Sequence, residues 1–352
     1  MKRGAELKDS YPKQPPQEIL KFHRKCLLMD LHVDSLLVKR ITRIDLTVQH
    51  RCFLPKSAYL FHADVPRFRL GNVSAVFLGL VPFPFGRNKN NINSQIDIAE
   101  RVTRKIPNLC TMARSGEDIL KAQKERKTAF LLGLEGATCI DGDPRLIKFY
   151  AKRGVRYLGL VHFNANFAAS PKMGLGSKNN SGITPHGKLV IDECIRNGVM
   201  IDLAHISKKG FFDILDYIPQ KLAVIVSHTM IKKVNSHPRG LDEDQIKAVA
   251  STDGVIGIMN AVGFLGGDTL KHYARHIIAA RDMAGYKHVA IGSDLDGLVI
   301  PVKGLEDVSK YPNLTATLLD EGLSNHEISA IYGENMLRVL SKVPPKYPHN
   351  ET

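Results

Sequence analysis

The segment Val199–His228, VMIDLAHISKKGFFDILDYIPQKLAVIVSH, contains the pattern from which the fold of this protein can be predicted. It opens with a short apolar run, Val199–His205, and closes with a second, Ala223–His228. Between them, Ser207–Tyr217 has apolar residues at helical spacing. Nearly continuous apolar runs are typical of strands buried on both faces of a parallel sheet. The segment therefore predicts a β-α-β unit, and both of its strands end in histidine.

The same alternation repeats along most of the chain. Eight apolar runs are bounded by turn residues: Cys26–Asp34, Val73–Val81, Thr128–Glu135, Val155–His162, Val199–His205, Ala223–His228, Val255–Asn260 and His288–Asp294. Helical periodicity occupies the segments between them: Ser94–Lys105, Gly116–Lys127, Pro144–Arg153, Thr184–Asn197, Ser207–Tyr217, Asp242–Thr252 and Thr269–Ala284. Eight strands that alternate with helices predict an α/β protein, a single (β/α)8 TIM barrel.

The ends of the chain are polar and set the expected domain boundaries. We expect an N-terminal polar arm over residues 1–25, the barrel over 26–342 and a polar C-terminal tail over 343–352. The connection Lys39–Asn72 is basic and poorly periodic, which predicts an excursion from the barrel. No linker, composition break or internal repeat indicates a second domain.

Composition excludes several classes of protein. Of the 352 residues, 43% are hydrophobic and 24% are charged, as in folded globular proteins. The chain shows neither a secretion signal nor the ~18 apolar residues of a membrane span. Its five cysteines are scattered, unlike those of a disulfide scaffold or a zinc knuckle. The net charge of +14 favours weak attraction to polyanions, but it is a property of the protein surface and does not indicate a function. We therefore expect a cytoplasmic protein that does not bind a membrane.

Seven of the eight runs end in His, Asp, Glu or Asn. In a parallel barrel all strands point their carboxyl ends to one face, where enzymes of this fold place their chemistry. Five nitrogen and oxygen donors would meet there: His32, Asp34, Glu135, His205 and His228. Such donors suit two zinc ions or similar cations. The pattern predicts a metal site at the C-terminal face of the strands.

Each of these donors also has a structural explanation. A lone His-x-Asp such as His32 and Asp34 is more often a buried histidine bonded to its neighbour. Glu135, in the apolar context LLGLEGA, needs a partner, and an arginine would serve as well as a metal. His205 and His228, taken singly, are more often hydrogen-bonded core histidines. Only the five together favour the metal site.

Three more residues are candidates for catalysis or substrate binding. Asp294, in IGSDLDG, would move a proton from a metal-held water to a leaving amine; the alternative is a turn cap, a role that Asp296 fits better. His162, in LVHFNAN, would stabilise an oxyanion or be a core histidine. Arg239, in SHPRGLDE, would bind a carboxylate or lie on the surface. The chain has no Gly-x-Ser-x-Gly elbow, HExxH helix or phosphate loop.

Taken in order, these motifs resemble the membrane dipeptidase family, also called renal dipeptidases or peptidase family M19, a branch of the amidohydrolase superfamily. The resemblance runs from about His32 to Leu340 through MDLHVD, LLGLEGA, GVMIDLAHIS, VIVSHT, PRGLDEDQI, AIGSDLDG, GLEDVSKYPNLTATLL and GENMLRVL. It implies a dizinc dipeptidase that hydrolyses the peptide bond of a dipeptide with a hydroxide between two zinc ions. Family members often accept a D-residue at the carboxyl end. Mn²⁺ and Co²⁺ are alternative metals.

The resemblance also implies a role for each candidate. The metal ligands would be His32 and Asp34 for one zinc, His205 and His228 for the other, and Glu135 as the bridge. The remaining three would act on the substrate: His162 would polarise its carbonyl, Arg239 would anchor its terminal carboxylate, and Asp294 would shuttle the proton.

Substrate choice is less firmly implied than metal chemistry, because the chain departs from family patterns near the site. Val33 stands where many members have Asn, and Phe163–Ser170 lacks a Trp and an acidic residue. We expect a dipeptide substrate and a homodimer, and neither nucleic acid nor a membrane as a partner. Two alternatives stay open: another barrel metallohydrolase (lactonase, esterase or nuclease), and a non-catalytic, polyanion-binding relative.

Overall fold

The computed structural model of the protein describes residues 15–50, 59–82, 89–140, 142–179 and 181–347. Within these ranges the strands are β1 (Leu28–Val33), β2 (Val73–Leu80), β3 (Cys110–Met112), β4 (Thr128–Glu135), β5 (Val155–Gly159), β6 (Met200–Asp202), β7 (Ile225–Thr229), β8 (Val255–Ile258) and β9 (Val289–Ile291). Each of the eight predicted runs supplies one strand, and β3 is additional.

Eight of the strands close into a parallel barrel. Their order around the barrel is β1, β2, β4, β5, β6, β7, β8 and β9, and β9 pairs with β1. The pairing of β2 with β4 is the longest in-register ladder and runs from Ala75 opposite Ala129 to Leu80 opposite Leu134. The predicted (β/α)8 barrel is therefore confirmed.

The periodicity did not predict β3, because three residues are too short a run to register as a strand. It pairs with the start of β4, where Cys110 lies opposite Thr128, whereas β5 pairs with β4 from Leu132 onward. Since β2 occupies the other edge of β4, β3 and β5 follow one another along a single edge. The extra strand therefore leaves the eight-stranded closure intact.

Helices surround the barrel. In the described part of the chain they are α1 (Gln17–His23), α2 (Ser35–Thr42), α3 (Val65–Leu70), α4 (Lys89–Lys105), α5 (Gly116–Lys124), α6 (Leu146–Lys152), α7 (Pro185–Arg196), α8 (Lys208–Tyr217), α9 (Glu243–Ser251), α10 (Val262–Leu265), α11 (Leu270–Ala284), α12 (Tyr311–Asp320), α13 (Asn325–Ser329) and α14 (Asn335–Lys342). All seven predicted helical segments hold one. No helix among the described residues has both the length and the apolar character to cross a bilayer.

Helix ends follow local signals in the sequence. Thr184 caps α7, because its side chain accepts a hydrogen bond from the Gly187 N–H. At the start of α9, the Asp242 N–H donates to Gln245 Oε1 at 3.2 Å. After α7, Gly198 has φ of +66°, a left-handed value that glycine adopts without strain.

The predicted excursion, Lys39–Asn72, holds the end of α2 and all of α3, and its residues 51–58 lie outside the described residues. Asp64 begins α3, since its carboxylate accepts from the Arg67 N–H at 2.9 Å and from Arg67 Nε at 2.7 Å. The short helix therefore has its own polar anchor beside the barrel.

Both described ends of the chain contact the barrel domain. In α1, the buried His23 bonds to Thr315 Oγ1 at 2.8 Å and to the Gly71 carbonyl at 2.9 Å. Near the other end, Tyr347 donates its hydroxyl to Asn197 Oδ1 at 2.8 Å. The domain boundaries themselves remain predictions.

Buried side chains fill the inside of the barrel. One cluster packs there from alternating strand positions: Met29, Leu31, Ala75, Phe77, Ala129, Leu131, Tyr157, Met200, Ile225, Val255 and Ala290. A methyl group at Gly133 would overlap the Tyr157 ring, so this glycine makes room for it. The interior is a packed core, and the functional surface is left to the ends of the strands.

Candidate metal centre

His32 and Asp34 project together from the carboxyl end of β1. His32 belongs to β1 and Asp34 directly follows the strand at the start of α2, and both side chains are buried. His32 Nε2 lies 3.2 Å from Asp34 Oδ1. On the neighbouring strand, a methyl group at Gly79 would overlap Asp34 Oδ1 and come within 2.9 Å of His32 Cε1. A glycine on β2 therefore creates the space for the pair.

The ring orientation of His32 is set from behind by Tyr157. The Tyr157 hydroxyl donates to the Leu31 carbonyl at 3.1 Å and lies 2.7 Å from His32 Nδ1. Since its proton is used on the carbonyl, the hydroxyl accepts from His32 Nδ1–H. Because Nδ1–H is held by Tyr157, Nε2 is the ring atom directed into the barrel mouth, and it is the atom that would bind a metal once it has lost its proton.

Glu135, the last residue of β4, presents its two oxygens to different histidines. Oε2 is 3.6 Å from His32 Nε2, whereas Oε1 is 2.9 Å from His205 Nε2 and 3.4 Å from His228 Nε2. Among the described residues, only histidines lie within ion-pair distance of this carboxylate. Among the described residues no arginine forms an ion pair with Glu135, and the carboxylate lies between two sets of histidine donors.

His205 and His228 meet on the other side of Glu135, with their Nε2 atoms 2.8 Å apart. Ser227 Oγ donates to Asp202 Oδ2 at 2.6 Å and lies 3.0 Å from His228 Nδ1. The serine hydroxyl is thus left to accept from His228 Nδ1–H, and the Nε2 lone pair faces the cluster.

The donor atoms of the cluster fit a bound cation. Three of them are buried without a hydrogen-bond partner in the described structure: His32 Nε2, Asp34 Oδ1 and Glu135 Oε2. Buried polar atoms without partners are costly, so their convergence calls for a ligand. Three donor groups have all their ligand atoms within 4.8 Å of one another: His32–Glu135–His228, Glu135–His162–His205 and His32–Asp34–Asp294. Imidazole nitrogens with carboxylate oxygens are a donor set of zinc.

The structure also brings the three remaining candidates to this mouth. Asp294 belongs to the donor group of His32 and Asp34, and its N–H donates to the His32 carbonyl at 3.0 Å. His162 Nε2 lies 3.7 Å from Glu135 Oε1, and its side chain is 27% exposed, so it faces the opening. These two side chains therefore flank the cluster at its entrance.

Arg239 lies inside the protein, not on its surface. It is 2% exposed, and its guanidinium donates to the His228 carbonyl at 2.8 Å. It is close enough to Asp294 and Glu135 for their charges to affect its pKa, which burial lowers. A buried guanidinium beside the cluster suits an anionic ligand.

Comparison with known proteins identifies the family of the chain. The sequence matches the model of the family described as membrane dipeptidase (peptidase family M19) over residues 17–347. The chain belongs to the membrane dipeptidase family. It is 29% identical to dipeptidase tcpJ of Claviceps purpurea (83% of this chain, 71% of the relative). It is 31% identical to dipeptidase verJ of Clonostachys rogersoniana (82% and 77%).

Solved structures share the fold of this family member. A metallo peptidase from Rhodobacter sphaeroides, liganded with a phosphinate mimic of the dipeptide L-Ala-D-Ala, superposes with a TM-score of 0.81 at 20% identity (91% of this chain, 99% of that one). The probable dipeptidase PvdM from Pseudomonas aeruginosa superposes with a TM-score of 0.81 at 19% identity (93% and 98%). Membership of the family classes the chain as a hydrolase that acts on dipeptides.

Two of the three carboxyl groups of this cluster, Asp294 and Glu135, have pKa values that are shifted in opposite directions. Burial raises the pKa of Asp294 well above its ordinary value, and the charges of Asp34 and Glu135 add to that rise. Burial alone would also raise the pKa of Glu135, but His162 and His32 hold it well below its ordinary value. Glu135 is therefore an anion, whereas Asp294 is suited to carry a proton.

The surroundings of His205 and His228 favour the neutral form of both imidazoles. Burial lowers the pKa of each well below the ordinary value for histidine, and the charge of Arg239 lowers both further. A neutral imidazole is the metal-binding form.

Four predicted site residues lie beyond the strands that were expected to end on them. The strands stop at Val33, Gly159, Asp202 and Ile291, and the connections that follow carry Asp34, His162, His205 and Asp294. His205 and Asp294 have φ of +63° and +62°. Left-handed backbone is incompatible with a strand, so it sets the direction of these two side chains differently from a continued strand.

Sequence reasoning missed the residues that support the site. Asp30 accepts from Ser293 N–H, Ser293 Oγ and the Tyr311 hydroxyl at 2.8, 2.5 and 2.6 Å. Asp202 likewise accepts from Ser227 N–H at 2.8 Å. The available signal was a carboxylate in the middle of an otherwise apolar run, MDL or IDL, since such a group needs partners.

The sequence context of Asp296 favours a role as a turn cap, but its side chain bonds to residues that are distant in sequence. It is buried and accepts from Ser35 Oγ and from the His62 N–H, both at 2.7 Å. Both partners are distant in sequence, so local turn chemistry could not predict them. Asp296 joins the loop after β9 to the segment before α3.

Proposed function

We propose that this member of the membrane dipeptidase family is a metal-dependent dipeptidase that works at the cluster around Glu135. The observation that carries the proposal is the position of the two Glu135 oxygens, 3.6 Å from His32 Nε2 and 2.9 Å from His205 Nε2. A buried carboxylate with one oxygen toward each of two imidazole groups is suited to join two cations.

Two zinc ions are the proposed cofactor, with Mn²⁺ or Co²⁺ as substitutes. His32 and Asp34 would hold one ion, His205 and His228 the other, and Glu135 both. When bound, the ions supply Lewis acidity and lower the pKa of a water in the site. The partnerless atoms His32 Nε2, Asp34 Oδ1 and Glu135 Oε2 support this assignment.

Arg239 is the proposed anchor for the carboxylate at the end of the substrate. Within the described structure its guanidinium bonds to the His228 carbonyl and, at 3.5 Å, to Thr229 Oγ1, and it has no ion pair. A guanidinium has five N–H donors, so several remain for a carboxylate. An anchor of this kind explains a restriction to dipeptides, since a longer peptide would place its end elsewhere.

Asp294 and His162 are the proposed groups for proton transfer and for carbonyl activation. Asp294 takes a proton from the attacking water and delivers it to the amine nitrogen as the C–N bond breaks. Burial raises its pKa, which favours the protonated form that the second step requires. His162, exposed on the open side of the cluster, donates a hydrogen bond to the carbonyl oxygen as negative charge develops there.

Acceptance of a D-residue at the carboxyl end is part of the proposal. The Rhodobacter sphaeroides metallo peptidase, which has the same fold, was solved with a phosphinate mimic of L-Ala-D-Ala. The homodimer and the cytoplasmic location also remain proposals, which light scattering on the purified protein and localisation of the tagged protein in cells would test.

The deciding experiment combines metal analysis with a substrate panel. The purified protein is assayed for bound metal and for hydrolysis of L-Ala-L-Ala and L-Ala-D-Ala before chelation, after chelation and after zinc is restored. We expect two zinc ions per chain and a reversible loss of hydrolysis. The panel includes a lactone, an ester and single-stranded DNA. Full activity after chelation would contradict the proposal, as would turnover of the lactone, ester or DNA alone.

A further inference from the structure

An apolar cavity opens beside His162 at the mouth of the barrel. Its volume is about 320 Å³, within the range of small-molecule sites. We call it the mouth cavity; its apolar lining comes from Leu37, Ile41, Val81, Pro82, Phe163 and Leu298. Among the described residues that line it, none is Asp, Glu, Lys or Arg. The cavity offers an apolar surface immediately next to the cluster.

Three of these side chains are exposed although they are large and apolar. The exposed fractions are 58% for Ile41, 43% for Phe163 and 61% for Leu298. Single exposed apolar residues are ordinary, but a group around one concave opening marks a binding surface. Among the described residues these three side chains keep much of their surface exposed, and an apolar group of a ligand in the cavity would bury it.

Leu298 also has an unfavourable backbone conformation. Its backbone has φ of +59°, the left-handed region that glycine or asparagine adopts easily and a branched apolar residue does not. The side chain of this leucine is thus both exposed and carried on an unfavourable backbone. Residues held in unfavourable conformations are typical of ligand sites, where they position a side chain for its partner.

The position of the cavity identifies which part of a substrate would enter it. Its walls come from the connections after β1, β4, β5 and β9 and from the end of β2, so β2 lies at its centre. In the closed order of eight strands, β7 is directly opposite β2. Arg239 follows β7, and Glu135 lies between the two sides. A dipeptide with its carboxylate on Arg239 and its peptide bond over Glu135 therefore extends its amino-terminal residue into the cavity.

On the basis of the proposed function, we propose that the mouth cavity binds the side chain of the amino-terminal residue of the dipeptide. The cavity then selects dipeptides in which that residue is large and apolar, such as Leu, Met or Phe. An apolar side chain there loses its contact with water and covers Ile41 and Leu298. A charged one is desolvated among apolar walls without a partner. Ile41 and Leu298 are specificity-determining residues in this assignment.

The first test is a series of substrates that differ only in the first residue. The zinc-loaded protein is assayed with Leu-Ala, Phe-Ala, Gly-Ala, Asp-Ala and Lys-Ala, and kcat/KM is measured for each. We expect Leu-Ala and Phe-Ala to exceed Gly-Ala by about tenfold or more, and Asp-Ala and Lys-Ala to fall below it. Hydrolysis with equal rates or with a preference for charged residues overturns the cavity assignment alone. If no dipeptide is hydrolysed, the proposed function fails with it.

Two variants test the named residues. Leu298→Gly relieves the backbone strain and removes the wall, so Tm is expected to hold or rise while the Leu-Ala to Gly-Ala ratio of kcat/KM falls about fivefold or more. Ile41→Asp places a carboxylate at the opening and should raise Lys-Ala relative to Leu-Ala by a similar factor. Leu189→Ala, at a similarly exposed leucine on α7, is the matched control with unchanged ratios. Unchanged ratios in both cavity variants overturn the proposal.

Discussion

Asp202 accepts two hydrogen bonds from Ser227, from its N–H at 2.8 Å and from its hydroxyl at 2.6 Å. Ser227 is next to His228, whose Nδ1 contacts the same hydroxyl. Asp30 binds Ser293, the residue before Asp294, in the same way. In both cases a buried aspartate on one strand positions a site residue of the neighbouring strand or of the connection that follows it: His228 on β7 and Asp294 after β9. The donor geometry of the cluster thus depends on residues that never face it.

Ser227→Ala should weaken metal binding without removing a proposed ligand. The variant frees His228 to adopt the other tautomer and leaves Asp202 with one fewer hydrogen bond. Loss of such support typically lowers metal affinity by about 10–100-fold. Competition with a fluorescent zinc chelator measures the affinity. Ser251→Ala, on the exposed end of α9, is the control. Equal zinc affinities for Ser227→Ala and the unmodified protein would show that the serine only packs.

Gly79→Ala should disrupt the His32–Asp34 pair from the neighbouring strand. The added methyl group overlaps Asp34 Oδ1, so that carboxylate must move. Alanine is otherwise tolerated in a buried strand, and we expect a folded protein that has lost about one of its metal ions and most of its activity. Metal analysis with circular dichroism checks this. At Gly263, a methyl group meets no atom within 4 Å, so Gly263→Ala is the matched control. Full metal content in Gly79→Ala would refute the steric argument.

Asp294→Asn should keep its metals and lose turnover. The amide preserves the shape of the side chain but cannot carry the proton to the leaving amine, a role generally worth about 10²–10⁴-fold in rate. Metal content and kcat are measured on the same sample, with Asp282→Asn on the exposed face of α11 as the control. Turnover near the original level would remove Asp294 from the proposed mechanism.

Acid should destabilise the fold through His276. This buried ring on α11 accepts from the Ile231 N–H through Nδ1 at 3.0 Å and bonds to the Leu265 carbonyl at 3.1 Å. Burial lowers the pKa of His276 to about 4. The unfolded chain, with a pKa near 6.5, binds the proton first as pH falls, so stability is lost between pH 6.5 and 4. The loss from this residue is about 3 kcal/mol.

His276→Asn keeps an acceptor for the Ile231 N–H and removes the titration. The variant is expected to be less stable at pH 7, because the bond to Leu265 is lost, but its free energy of unfolding should fall less steeply between pH 6.5 and 4. Urea unfolding at a series of pH values measures both. A slope identical to that of the unmodified protein would mean that His276 is protonated in the folded state or does not titrate in this range.

Much of the fold was predictable because buried parallel strands leave a local record. Eight apolar runs and seven helical segments were identified from their own residues, and the structure contains them. The short strand β3, which has no pattern of its own, could not be found, because pairing with β4 alone makes it a strand. The helices near the carboxyl end of the chain, such as α12, were not predicted, because the stretches that form them served only as motifs of the resemblance.

The candidate site shows the same division. The residue types and the strand ends that carry His32, Glu135 and His228 are readable from the sequence, since an ionisable group at the end of an apolar run stands out. The positions of His205 and Asp294 are not, because a left-handed backbone at a non-glycine residue is imposed by the surrounding connections. The sequence alone left open whether Arg239 lies on the surface or binds a carboxylate, and the structure shows that this residue is buried.

The parallel barrel and the chemical groups at the ends of its strands can be predicted from the residues alone, because periodicity and residue type act locally. Which atoms meet depends on the folded chain. Each key contact of the site involves residues from different strands: the two oxygens of Glu135 with His32 and His205, and Gly79 with Asp34. Ser227, which contacts His228, is itself held by Asp202 of the neighbouring strand. Their distances depend on the closure of the barrel, and no local stretch of chain contains that information.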